Sequence, residues 1–150
     1  MKRILVPFDH SPAGEAMLEL VAHIARSAGS RVRVVSVRPV PRDLVDDNDR
    51  VVVSADQEMA RIEARELDSL RLAEALLVGI PVETVVRFGD PAREVLAESE
   101  AWEAELVVLP AGERTWLGPG RLERKIRRKA TVPVLVYDPP RSAAPARPRW

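Results

Sequence analysis

The chain has 150 residues, the length of one ordinary domain, and at 46% hydrophobic it can bury a core. Its 23 acidic residues balance 23 basic ones, so net charge supplies no drive towards nucleic acid. It has no cysteine, which excludes disulfides, thiolate catalysis and cysteine-held zinc.

The first element is "RILVPF" (3–8), an apolar run rich in strand formers. Ser11-Pro12 then opens a helix, with Ser11 as N-cap and Pro12 at the first helical position. Met17, Val21, Ile24 and Ala28 recur at helical spacing, and Gly29 stops the helix. "RVRVVSVRP" (31–39) is a second strand, closed by Pro39 and Pro41. Residues 42–53 are a polar, acidic connection. A long helix is expected over 54–78, with Met59, Ile62, Leu67, Leu70 and Leu77 as apolar markers, ended by Gly79-Ile80-Pro81.

"VETVVRF" (82–88) is the third strand. Gly89-Asp90-Pro91 is a turn, with Asp90 as N-cap of a helix that runs to about Trp102. "ELVVLP" (105–110) is the fourth strand, followed by the glycine-rich loop "AGERTWLGPG" and the short basic helix "RLERKIRRKA". "VPVLVYD" (132–138) is the fifth strand. Residues 139–150 hold four Pro, three Ala and three Arg and are expected to form a flexible tail.

Strands alternating with helices predict a single α/β domain, an open parallel sheet with helices on both faces. Ligands of such sheets sit outside the carboxyl ends of the strands, where the strand order reverses. The loops expected at that edge are "FDHSP", "VRPVP" and "PAGERTWLGPG". The N-terminal apolar run stops at Asp9, too short for a signal peptide, and no stretch reaches the ~18 apolar residues of a membrane span. The expectation is a soluble cytoplasmic protein without membrane or nucleic-acid partners.

Motifs of common chemistries are missing. Adjacent Asp9-His10-Ser11 does not suit a triad, which the fold assembles from separated residues. His10 and His23 are the only histidines and no HExxH occurs, so no metal site is expected. A calcium loop begun at Asp47 would put Val51 and Val52 where an oxygen ligand and the turn glycine belong. No GxxxxGK[ST] exists, and "GPG" carries only part of a GxGxxG, with Glu123 in the third place. In the basic helix Leu122 and Ile126 suit the core at i, i+4, while Arg121 stands near the helix N-terminus, where backbone N–H groups favour anions.

Together "RILVPFDHSPAGEAML", "VRFGDPAREVLAESEAWEAELVVLP" and "RKATVPVLVYD" resemble the universal stress protein family over roughly residues 2–138. The resemblance implies the adenine nucleotide alpha hydrolase-like arrangement with strand order 3-2-1-4-5, a dimer, and in many members binding of ATP or another adenine nucleotide. It implies a base and ribose site around Pro7, Asp9 and Val37. It places the phosphates on a loop of the form GxxG, nine residues, then G[ST], here spanning Leu109, Gly112, Gly120, Arg121 and Leu122.

This loop departs from the family form. Pro110 stands for the first glycine and offers no N–H. Glu113 stands for the second and brings negative charge, with Gly112 one place early. Arg121 replaces the hydroxyl residue, and the loop is about three residues shorter. The expectation is a non-enzymatic stress-response module with a degraded triphosphate grip and no required cofactor, ATP or AMP binding weakly. The alternative is an adenine nucleotide sensor of the same family. A flavodoxin-like enzyme lacks a cofactor fingerprint. The last strand, apolar and without charge or Pro in its interior, is expected to pair two copies through Val134 and Val136.

Overall fold

The computed structural model describes residues 2–112, 114–115 and 118–138. Glu113 and the tail at 139–150, on which expectations rest, lie outside these residues. Five parallel strands form one sheet: β1 (Arg3–Pro7), β2 (Arg31–Arg38), β3 (Val82–Phe88), β4 (Leu106–Pro110) and β5 (Val134–Tyr137). Their order across the sheet is β3-β2-β1-β4-β5, as expected. β1 is central, pairing Val6 with Val34 of β2 on one side and Leu5 with Val107 of β4 on the other. Its buried run of Ile4, Leu5, Val6 and Pro7 suits a strand covered on both faces.

Helices cover both faces. On one, α1 (Pro12–Ala28) buries Met17, Leu18, Val21 and Ala22 against Ile4, Val6, Val32 and Val34. On the other, α4 (Pro91–Ala101) and α5 (Arg121–Lys129) pack Val95, Leu122 and Ile126 against Leu5, Val35, Val107 and Leu109. The expected caps form: Ser11 Oγ accepts from Gly14 N, and Asp90 Oδ2 accepts from Arg93 N. Gly29 closes α1 in the left-handed region at φ 64°, where a side chain would be strained.

Two expectations are corrected. The helix expected over 54–78 is two helices, α2 (Ala55–Ser69) and α3 (Arg71–Leu76). Ser69 Oγ donates to the Arg65 carbonyl, a local bond that competes with the helix ladder. Leu70, Ala73 and Leu77 are buried in the core, while Leu67 stays 36% exposed. The connection at 42–53 is not wholly irregular. Leu44–Val45 and Val51–Val53 pair as a small antiparallel ribbon, closed by Asp46 Oδ1 accepting from Asn48 N and Arg50 N. The glycine loop also contains a two-stranded ribbon, Arg114–Thr115 with Gly118–Pro119.

Charge also enters the packing of α4. Glu98, 4% exposed, accepts from Arg33 Nη1 and Arg87 Nη1, both at 2.6 Å, and Glu94 accepts from Arg87 Nε at 2.7 Å. The Arg33 guanidinium also lies 4.9 Å from the Trp102 ring centroid.

Candidate functional site

A cavity of about 220 Å³ opens at the carboxyl ends of β1, β2 and β4. This is where the strand order reverses, since β1 is flanked by β2 on one side and by β4 on the other. Its walls are mostly apolar: Pro7 and Phe8 follow β1, Val35 and Val37 come from β2, and Pro91, Val95 and Leu122 come from α4 and α5. Pro110, the last residue of β4, also lines it. Polar groups enter from one side, as Asp9, His10, Ser36, Arg38 and Glu66.

The loop after β1 is held tightly. Asp9 Oδ1 accepts from Ser11 N at 3.0 Å and from Ser11 Oγ at 2.6 Å, while Ser11 Oγ caps α1. The same carboxylate leaves Oδ2 buried with no partner among the described residues. Such an atom costs free energy unless a donor reaches it. His10 takes φ 60°, uncommon for any residue but glycine. Its Nε2 lies 2.5 Å from Glu66 Oε1, which also accepts from Ser36 Oγ at 2.7 Å. Because an ionised carboxylate only accepts, His10 carries a proton on Nε2. Burial pushes the Glu66 carboxyl up, but the hydrogen bonds from Ser36 and His10 and the charges of His10 and Arg38 outweigh it. The net position is below the ordinary value.

Pro7, Asp9, Val37 and Leu122 thus meet in one cavity. Leu109 is fully buried in the core beneath it. Gly112 is exposed at φ 66°, and Gly120 is the left-handed N-cap residue of α5 at φ 71°. Arg121 projects elsewhere. With Arg124, Lys125 and Arg128 it lines a separate shallow groove on the outer face of α5, where Lys125 Nζ lies 3.7 Å from Asp90 Oδ1. Val134 and Val136 are half-buried on β5, Val134 against the α4–α5 side of the core, and Leu135 between them is 38% exposed.

Sequence reasoning missed Glu66, Ser36 and the binding role open to His10. One signal was available. Ile62, Glu66, Leu70, Ala73 and Leu77 recur at three- and four-residue steps, so Glu66 is a charge on an otherwise apolar helical stripe. Among the described residues no three metal-ligating side chains cluster, and no helix is long and apolar enough to cross a membrane.

The sequence profile of the universal stress protein family matches residues 1–138. No curated protein matches the chain. Among solved structures, the chain is similar to a protein of the universal stress protein family from Burkholderia pseudomallei. Identity is 18%, over 91% of this chain and 95% of that one, with a TM-score of 0.68. It is also similar to the universal stress protein from Archaeoglobus fulgidus in complex with dAMP, at 23% identity over 91% and 97%, TM-score 0.64. A universal stress protein in complex with cAMP matches at 15% identity over 91% and 96%, TM-score 0.59. At these identities the likeness establishes the fold.

Proposed function

The chain belongs to the universal stress protein family, and from that premise we propose that it is a non-enzymatic, dimeric binding module of that family. Its crevice takes the adenine end of a small nucleotide or nucleoside, and its loop has lost the triphosphate grip. The observation that carries the reading is Asp9 Oδ2, a buried acceptor without a partner in an apolar cavity. It asks for an N–H donor on a flat, largely apolar group, and an adenine amino group is one. Two structurally similar family members were solved with cAMP and dAMP.

Size and loop chemistry support the weak phosphate grip. A cavity of about 220 Å³ is smaller than the ~300–1,000 Å³ of typical whole-ligand pockets, which suits a base with part of its sugar. Pro110 lines the cavity and presents no N–H to a phosphate. Arg121, the one candidate to replace the family's hydroxyl contact, faces the outer groove of α5. Catalysis finds little support. Ser36 and His10 both bond Glu66 rather than each other, so no base is poised on a hydroxyl there.

Calorimetry with adenosine, AMP and ATP tests this. Adenosine and AMP should bind at least as well as ATP. The ATP Kd should lie in the high micromolar range or weaker, less than about 6 kcal/mol of binding. Asp9→Asn should weaken all three alike, and Pro110→Gly should tighten ATP selectively. Nanomolar ATP binding by the unaltered chain would establish the alternative, an ATP sensor.

A further inference from the structure

Two carboxylates line the crevice, and each has acceptor capacity left over. Asp9 Oδ2 is the first. The second is on Glu66, where both donors, Ser36 Oγ at 2.7 Å and His10 Nε2 at 2.5 Å, fall on Oε1. Oε2 takes no partner among the described residues and is not among the fully buried atoms, and Glu66 lines the cavity. Glu66 is 8% exposed and is the one buried residue of α2, placed there by a helix that otherwise offers the core little.

A buried carboxylate needs donors, because it is acceptor-only. On the opposite wall stand Val35, Val37, Val95 and Leu122, which have none. Both recorded donors are spent on Oε1, which leaves Oε2 open to donors on what occupies the cavity. Two hydrogen bonds to Oε1 fix the carboxylate plane in advance, so little side-chain freedom remains to be lost on binding. An acceptor-only anion repels a phosphate, which assigns it to a hydroxyl-bearing part of a ligand rather than an anionic part.

We propose that Glu66 is the specificity-determining residue of this crevice, its Oε2 accepting hydrogen bonds from the vicinal hydroxyls of the ligand's sugar, so that the protein selects ribonucleosides over dideoxynucleosides. The inference rests on the adenine reading above and adds a sugar requirement to it. Ser36 and His10 act through Glu66, as positioning residues. Arg38, exposed at the end of β2, lines the same cavity, and its charge favours the ionised Glu66 carboxylate.

Calorimetry of the full chain with adenosine and 2′,3′-dideoxyadenosine decides. A hydrogen bond to a charged acceptor is worth about tenfold or more in affinity, so adenosine should bind about tenfold tighter or better. Glu66→Gln should shrink that ratio, and Glu66→Leu should bring it to about one. Ser36→Ala, which leaves Oε2 in place, should keep most of the preference. Each ratio is internal to one protein preparation, so a loss of folded fraction cancels. Equal binding of both ligands by the unaltered chain overturns the sugar role while leaving the adenine reading standing. So does an undiminished ratio in Glu66→Leu, which would assign the hydroxyls to another group. Failure of both ligands to bind would overturn the adenine reading itself, and the sugar role with it.

Discussion

Glu98 stands where an apolar residue would ordinarily face the sheet, and two arginines from different strands converge on it. Burial pushes its carboxyl up, but the hydrogen bonds and charges of Arg33 and Arg87 hold it below its ordinary value of 4.5. Removing one member of a buried pair strands the others, at a cost of about 3–5 kcal/mol. Glu98→Gln keeps an acceptor, so its cost belongs near 3 kcal/mol, a loss of Tm on the order of 10 °C for a chain of this size. Calorimetric melting checks it. The pH dependence has a fixed sign. Glu66 and Glu98 both have folded-state values below 4.5. Their stabilisation is therefore complete above the ordinary carboxylate range and is lost as pH falls through the lower folded values. Tm should fall as pH drops below about 4.5, and Glu98→Gln should flatten that acid limb. An acid limb of unchanged steepness in the variant would contradict the assignment.

Among the elements, α2 and α3 show what periodicity can and cannot say. Leu67 and Leu70 are equivalent as apolar markers in the sequence, yet Leu70 is fully buried and Leu67 is 36% exposed. Leu70→Ala should cost about 2–5 kcal/mol by transfer and cavity terms, while Leu67→Ala should cost less than about 1 kcal/mol. Denaturant midpoints of the two variants test this difference in burial directly. Boundaries were legible where a residue enforces them. Ser11-Pro12, Gly29 and Asp90-Pro91 act within one turn, by capping bonds and fixed φ, and all stand where expected. The break at Leu70 was not legible, because a local Ser69 bond and distant core contacts decide it jointly.

For the whole molecule, β5 is the open question. It is an edge of the sheet, paired only to β4 among the described strands, with Leu135 presented at 38% exposure. An apolar edge without charge invites a second strand. The dimer proposed above should therefore depend on it. Leu135→Lys, a charge that blunts edge pairing, should shift light scattering at micromolar concentration from dimer to monomer, with little change in the circular dichroism spectrum. A monomeric unaltered chain would remove the dimer from the proposal.

The sequence by itself determined the five strands of the sheet, their alternation with helices, the sheet edge where the cavity opens and the family. These follow from local signals, namely apolar runs, caps, turn residues and motif order, which act over a few neighbouring residues. Pro7, Asp9 and Val37, which the family resemblance implied, line one cavity at that edge. Only the tertiary structure decided the rest. Glu66 reaches Ser36 across 30 positions and His10 across 56 because α2 packs against β3, the strand beside β2. Glu98 gathers Arg33 and Arg87 across 65 and 11 positions because α4 crosses two adjacent strands. Arg121 and Leu122, neighbours in the chain, part company because successive helical residues point about 100° apart, one to the outer groove and one to the cavity. Which side chains share a site depends on how elements pack, and that packing is not a property of any single segment.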